Sequence, residues 1–177
     1  SILKSGLSLF LQINSSLSKK NNLKLCELKL LGAIINNKNK NIGISRALNF
    51  LITENQNKFS HLFFLDQDTF LNVKLFVDFL EKETSLINKY SLVNVNNNPE
   101  NSQIFITNSG SLINLNKIKF KFNDKYFVEL IDYWLVVEIY ERKLSISKTK
   151  VDFFNHEIFQ EKMNTFYNYQ YKNYSKR

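Results

Sequence analysis

Disulfide chemistry is excluded first: Cys26 is the only cysteine in the 177-residue chain, so no internal bridge can form, and a reducing compartment is the natural setting. Cys26 itself reads as a small core residue. Long apolar runs are missing too. None approaches the roughly 20 residues that span a bilayer, and no signal-like segment precedes the first strand. The expectation is therefore a cytoplasmic protein, soluble or peripheral on the cytoplasmic membrane face. Pro99 is the only proline and glycines number 4, so each of these turn-formers carries weight where it stands. No internal repeat is found. The chain opens at Ser1 in what reads as the middle of an element, which suggests a fragment.

What is present fits one domain, with residues 1–155 as the core and 156–177 as a C-terminal aromatic and basic segment that ends in "FYNYQYKNYSKR". Hydrophobic residues at 44% and charged residues at 23% are ordinary for a globular protein, so the abundant Asn and Lys need not mean disorder. A net charge of +8 favours anionic partners without choosing among nucleotides, lipid surfaces and nucleic acid.

Leu7 to Ile13 reads as a strand, with Asn14-Ser15-Ser16 as a turn or cap before a polar segment; Leu31 to Ile35 is a second apolar run. Ile44, Ala47, Leu48 and Leu51 then fall on one helical face. Leu62 to Leu65 is apolar at every position, as in a strand covered on both faces in a largely parallel sheet. Val73, Phe76, Val77 and Leu80 restore the helical period, and two strands follow, Leu92–Val95 and Ile104–Thr107, around the polar loop Asn96–Ser102. Tyr126 to Tyr140 fits a helix with Phe127, Leu130, Ile131, Trp134 and Val137 inward, and "KLSISKTKVDFF" alternates like an edge strand. Alternating strands and helices imply α/β layering.

The chemistry centres on "HLFFLDQDTF". Side chains two apart on an extended segment point the same way, so Asp66 and Asp68 can converge on one divalent ion. They emerge at the carboxyl end of an apolar strand, where open α/β sheets place ligands, and oxygen donors favour Mg²⁺ or Mn²⁺. Two solvated acids after a strand end is the rival reading. In "NKNIGISRALNF", Gly43 and Arg46 at a loop-to-helix junction suit a phosphate or ribose, or Asn41 simply caps the helix. Gly110 in "FITNSGSLI" allows close backbone approach to a ligand, or a bulge. Glu129 and Asp132, three apart in "YFVELIDYW", line a cleft or form a solvated stripe. His156 is a third metal ligand or a half-buried strand histidine, and His61 is read as structural.

In order, these pieces resemble the large inverting family two of nucleotide-sugar glycosyltransferases, and within it the bacterial rhamnosyltransferase-like branch. The matching stretches are Asn41, Gly43, Ala47 and Asn49 ahead of Asp66-Gln67-Asp68, then "TNSGSLI", "FVELID", and a late histidine at His156. The resemblance implies a three-layer GT-A (Rossmann-like) α/β fold with a mostly parallel central sheet, here N-terminally incomplete because the family's first strand and helix have no counterpart. Ile13 in "QINSS" stands where the family has an acid that contacts the nucleotide base, Glu129 replaces the usual Asp, and Trp134 stands at a commonly acidic position.

The resemblance further implies roles. Asn14, Asn41, Gly43, Arg46, Asp66 and Gln67 would face the nucleotide-sugar donor, and Asp66, Asp68 and His156 would hold Mg²⁺ or Mn²⁺. Asp132 would be the catalytic base, with Ser109, Gly110 and Glu129 on the side of a glycan or lipid-linked glycan acceptor. Two rivals stand beside this: a degenerate glycosyltransferase-like domain that binds without catalysis, and a basic anion-surface binder. A peripheral membrane contact belongs to the expectation, and a specific nucleic acid does not.

Overall fold

The computed structural model describes residues 6–13, 17–37, 41–66, 69–96, 109–119, 121–124 and 131–156. Asn14, Gln67, Asp68 and Glu129, the strand expected at Ile104–Thr107, and Phe127 and Leu130 lie outside them.

The first unit is a parallel pair, β1 (Phe10–Ile13) and β2 (Ile34–Asn37), joined by helix α1 (Lys19–Leu30). The polar segment predicted after β1 is in fact this helix. Ser18 starts it by accepting the Asn21 N–H at 3.2 Å, which satisfies one of the amides a helix start leaves free. No residue of α1 is buried, and Cys26 is exposed, which corrects its reading as a core residue. Among the described residues no second layer covers this helix to bury a thiol.

Helix α2 (Ile44–Asn55) follows the 3.6-residue period read from the sequence and buries Ala47, Leu48 and Ile52. Next come β3 (His61–Phe63), β4 (Thr69–Leu71), α3 (Val73–Lys82), the short α4 (Thr84–Lys89) and β5 (Leu92–Asn96). The chain continues through β6 (Ser111–Asn114), α5 (Ile131–Glu141), β7 (Ile146–Lys150) and β8 (Phe154–His156).

The principal sheet has the order β3-β6-β5-β7. It is mixed: β5 and β7 run parallel across the α5 crossover, while β6 is antiparallel to both β3 and β5. The apolar run at Leu62–Leu65 was expected in a largely parallel setting, but β3 has an antiparallel neighbour, and Leu65, beyond the strand, is 38% exposed. β7 lies at the sheet edge, as its alternation suggested.

Alternation along the central strands feeds two separate cores. Leu92, Ile113 and Phe64 join Leu48 and Ile52 of α2 and Ile131, Leu135 and Ile139 of α5. Val93, Val95 and Leu112 join Phe76 of α3, Ile87 of α4, and Phe153 and Phe154. The inward face of α5 is therefore rotated from the one expected: Ile131, Leu135, Glu138 and Ile139 are buried, while Val137 is 43% exposed. Trp134 is partly buried against the first core. Glu138 can sit on the buried face because Arg142, one turn on, pairs with its carboxylate.

A ring cluster fixes β8 beneath the end of β3. Phe63 stacks on Phe76 at 4.6 Å, Phe76 and Phe79 meet Phe153 at 5.6 and 5.2 Å, and Phe63 meets Phe154 edge-on at 6.3 Å. Among the described residues no helix is long and apolar enough to cross a membrane.

Candidate functional site

The carboxyl end of β3 runs straight into a tight turn. Thr69 donates its backbone N–H to the Asp66 carbonyl at 3.2 Å, and the chain leaves as β4. Ser109 braces both ends of this turn: its hydroxyl accepts the Asp66 N–H at 3.1 Å and lies 2.8 Å from the Thr69 hydroxyl. The Asp66 side chain is exposed while its backbone is fixed.

Gly110 makes this approach of two segments practicable. Its N–H donates to the Phe64 carbonyl at 2.9 Å, and its own carbonyl accepts from the Val95 N–H at 2.8 Å. Its φ is +84°, and a Cβ there would stand 2.6 Å from the Val95 carbonyl oxygen and 2.9 Å from Phe154 Cζ. The close approach that Gly110 permits is to its own chain, at Val95 and Phe154.

Strand β8 completes the group. It pairs antiparallel with β4, setting His156 opposite Thr69, Asn155 opposite Phe70 and Phe154 opposite Leu71. His156 is 90 residues from Asp66 in sequence, and the β4–β8 ladder brings its backbone alongside the residue that follows Asp68. Thr69 and Phe70 were not singled out from the sequence. The signal available was the alternating "TFL" directly after the aspartates, which reads as strand, and Phe70 leaves its ring 67% exposed at the rim of the turn.

The residues at the start of α2 form a second group. Asn41 accepts the Gly43 N–H through its side-chain oxygen at 2.9 Å, an Asx turn that sets up the helix, with Gly43 at φ +81° as the N-cap. Arg46 lies 3.9 Å from Asp124, both side chains largely exposed. Asn49 bonds the Phe122 carbonyl at 2.8 Å, the Phe122 N–H at 2.7 Å and Asp124 at 2.8 Å, clamping this segment to the helix. The helix cap is therefore Gly43, not Asn41 as expected, because Asn41 uses its side-chain oxygen on the turn before the helix.

Asp132 stands in the first turn of α5, half-exposed. Its neighbour Ile131 packs in the same core as Phe64, two residues before Asp66, so the helix start and the strand end share one hydrophobic anchor. His61, at the opposite end of β3 from the turn, bonds Ser60 at 2.9 Å; burial lowers its pKa, the Ile87 backbone opposes that, and the Lys117 charge adds to it. This matches its structural reading.

The chain matches no protein-family model, and no curated protein matches its sequence. Among the described residues no group of three His, Cys, Asp or Glu side chains is placed to hold a metal ion. Of the expected ligands, the structure describes the side chain of Asp66 and only the backbone of His156, with Asp68 outside.

Proposed function

We propose that the chain is an inverting, metal-dependent glycosyltransferase of GT-A type that moves a sugar, rhamnose being the first candidate, from a nucleotide diphosphate to a hydroxyl of a surface-glycan acceptor. One observation carries the reading: Ser109, Thr69 and strand β8 bring Asp66, the S-G-S segment and the backbone of His156 near one another from distant parts of the sequence. Asp66 suits a hard divalent ion, offering an exposed carboxylate on a backbone bonded to Ser109 and Thr69.

Asp66, Asp68 and His156 would hold Mg²⁺ or Mn²⁺, which when bound offsets negative charge on the diphosphate leaving group. Asp132 takes the proton of the acceptor hydroxyl as that oxygen bonds to the anomeric carbon. The bond from that carbon to the diphosphate breaks on the opposite face, so the configuration inverts in one displacement. Ser109 and Gly110 shape the acceptor side through backbone position.

The test is turnover by folded Asp68→Ala and Asp132→Asn proteins. Loss of about a hundredfold or more in transfer or donor hydrolysis is expected from removing a general base, and metal dependence should disappear with Asp68. Parent-like rates in both variants would end the enzymatic reading. A non-catalytic binding domain is the second reading, favoured by Ile13 and Trp134 standing where the resembling family has acidic residues. Donor and Mn²⁺ binding by calorimetry without any turnover would select it.

A further inference from the structure

Helix α1 is apolar on two sides and buried on neither. Leu25 and Leu28 are half-buried on its inner side, where it packs on β2. Leu23, Cys26 and Leu30 recur at i, i+3 and i+7 and so share the outer face. Leu23 is 61% and Leu30 88% exposed, Cys26 is exposed, and Leu31 just past the helix adds a further 61%-exposed leucine. One exposed leucine is ordinary on a protein surface; three within nine residues, two on one helix and one at its end, are a patch.

The border of that patch is cationic. Lys19 continues the stripe at the helix start, Lys20 and Lys24 flank one side, Lys29 flanks the other, and Glu27 stands next to Leu23 and Leu30, four residues after one and three before the other. All five of these charged side chains are exposed. We propose that this face of α1 lies on an anionic lipid bilayer, the helix axis in the headgroup plane, with Leu23, Cys26 and Leu30 inserted and the lysines among the lipid phosphates. Charge decides the occupant. A second copy docking through the same face would set lysines against lysines. A purely electrostatic partner such as nucleic acid would leave the leucines facing a charged backbone.

The experiment is co-sedimentation of the whole chain with phosphatidylcholine vesicles and with vesicles containing phosphatidylglycerol. Retention on the anionic vesicles alone, weakened by added salt, is expected. Leu23→Glu/Leu30→Glu should lower the bound fraction about tenfold or more, because each change removes an inserted apolar side chain and adds like charge to the lipid. Lys24→Glu/Lys29→Glu should lower it as well and flatten the salt dependence. As the sole cysteine, Cys26 can carry an environment-sensitive fluorophore whose emission should move to the blue with anionic vesicles only, a readout that needs no folded double variant. Three results would each overturn the proposal: no retention on anionic vesicles, parent-like retention of the leucine variant, or a vesicle-independent dimer that the leucine variant abolishes.

Discussion

The β5–β6 centre and the β1–α1–β2 unit are both built of strands with a helix beside them, yet they differ in what covers them. β6 is buried at every position, and Leu92 and Ile113 are wholly inaccessible to solvent. β1 is only half-buried throughout, Ile34 of β2 is 54% exposed, and α1 has no buried residue. Secondary structure is therefore no guide to where stability resides; a layer on each face is. The candidate site hangs on the well-covered region through Phe64, Gly110 and Phe154, so its backbone should be the more rigid of the two.

The sharpest test of this contrast pairs two truncations of similar size. Ile113→Ala should cost about 2–5 kcal/mol, the range for deleting a fully buried aliphatic side chain, whereas Leu30→Ala should stay within about 0.5 kcal/mol. Urea unfolding of both variants measures the difference, and equal losses would break the comparison. Gly110→Ala comes next. It forces a side chain onto a left-handed backbone, at about 1–2 kcal/mol, and into the Val95 carbonyl and Phe154 ring, at about 1–3 kcal/mol more. Because Gly110 joins sheet to site, weakened Mn²⁺ or donor binding should accompany the lost stability.

Where periodicity was strong, the chain was legible. The α2 face at Ile44, Ala47, Leu48 and Leu51 needed only the helical repeat, and the apolar run from Leu62 announced a strand, though β3 is half-buried rather than covered on both faces. Strand direction was not legible, because an antiparallel neighbour such as β6 leaves no mark on the composition of β3. The phase of α5 was misread through Val137 because apolar residues surround that helix on nearly every side, and a buried Glu138 made tolerable by Arg142 inverts the usual rule. Cys26 was placed inside on residue type alone, which says nothing about whether a second layer exists. At the candidate site, Thr69 as a bracing partner was not legible, because it depended on Ser109, 40 residues away.

Asn49 tests a region intermediate between the two, where polar bonds replace covering layers. Asn49→Ala removes the side-chain bonds to the Phe122 N–H and carbonyl and should cost about 1–3 kcal/mol. Since the clamp joins α2 to the 122–124 segment, hydrogen exchange should quicken there and leave β6 protected. Uniform loss of protection across β6 would mean the clamp is part of the central core.

The smallest effect concerns pH, and it probes the covered region from its far end. Burial holds His61 below its ordinary pKa of 6.5, and Lys117, fixed by bonds from its ammonium to the Asn88 and Lys89 carbonyls, adds positive charge nearby. The folded state therefore keeps His61 neutral in a range where the unfolded chain takes up a proton. Stability from this group is complete above 6.5 and is lost as pH falls from there toward the lowered folded value, levelling off below it. Unfolding by urea at pH values between about 7 and 5, above the main carboxylate range, should show a decline in the parent that His61→Gln lacks. The slope is the readout, since the substitution also alters packing by a constant amount at every pH. Equal slopes would mean that solvent reaches the start of β3 as freely as it reaches α1, which would erase the difference in covering between the two regions.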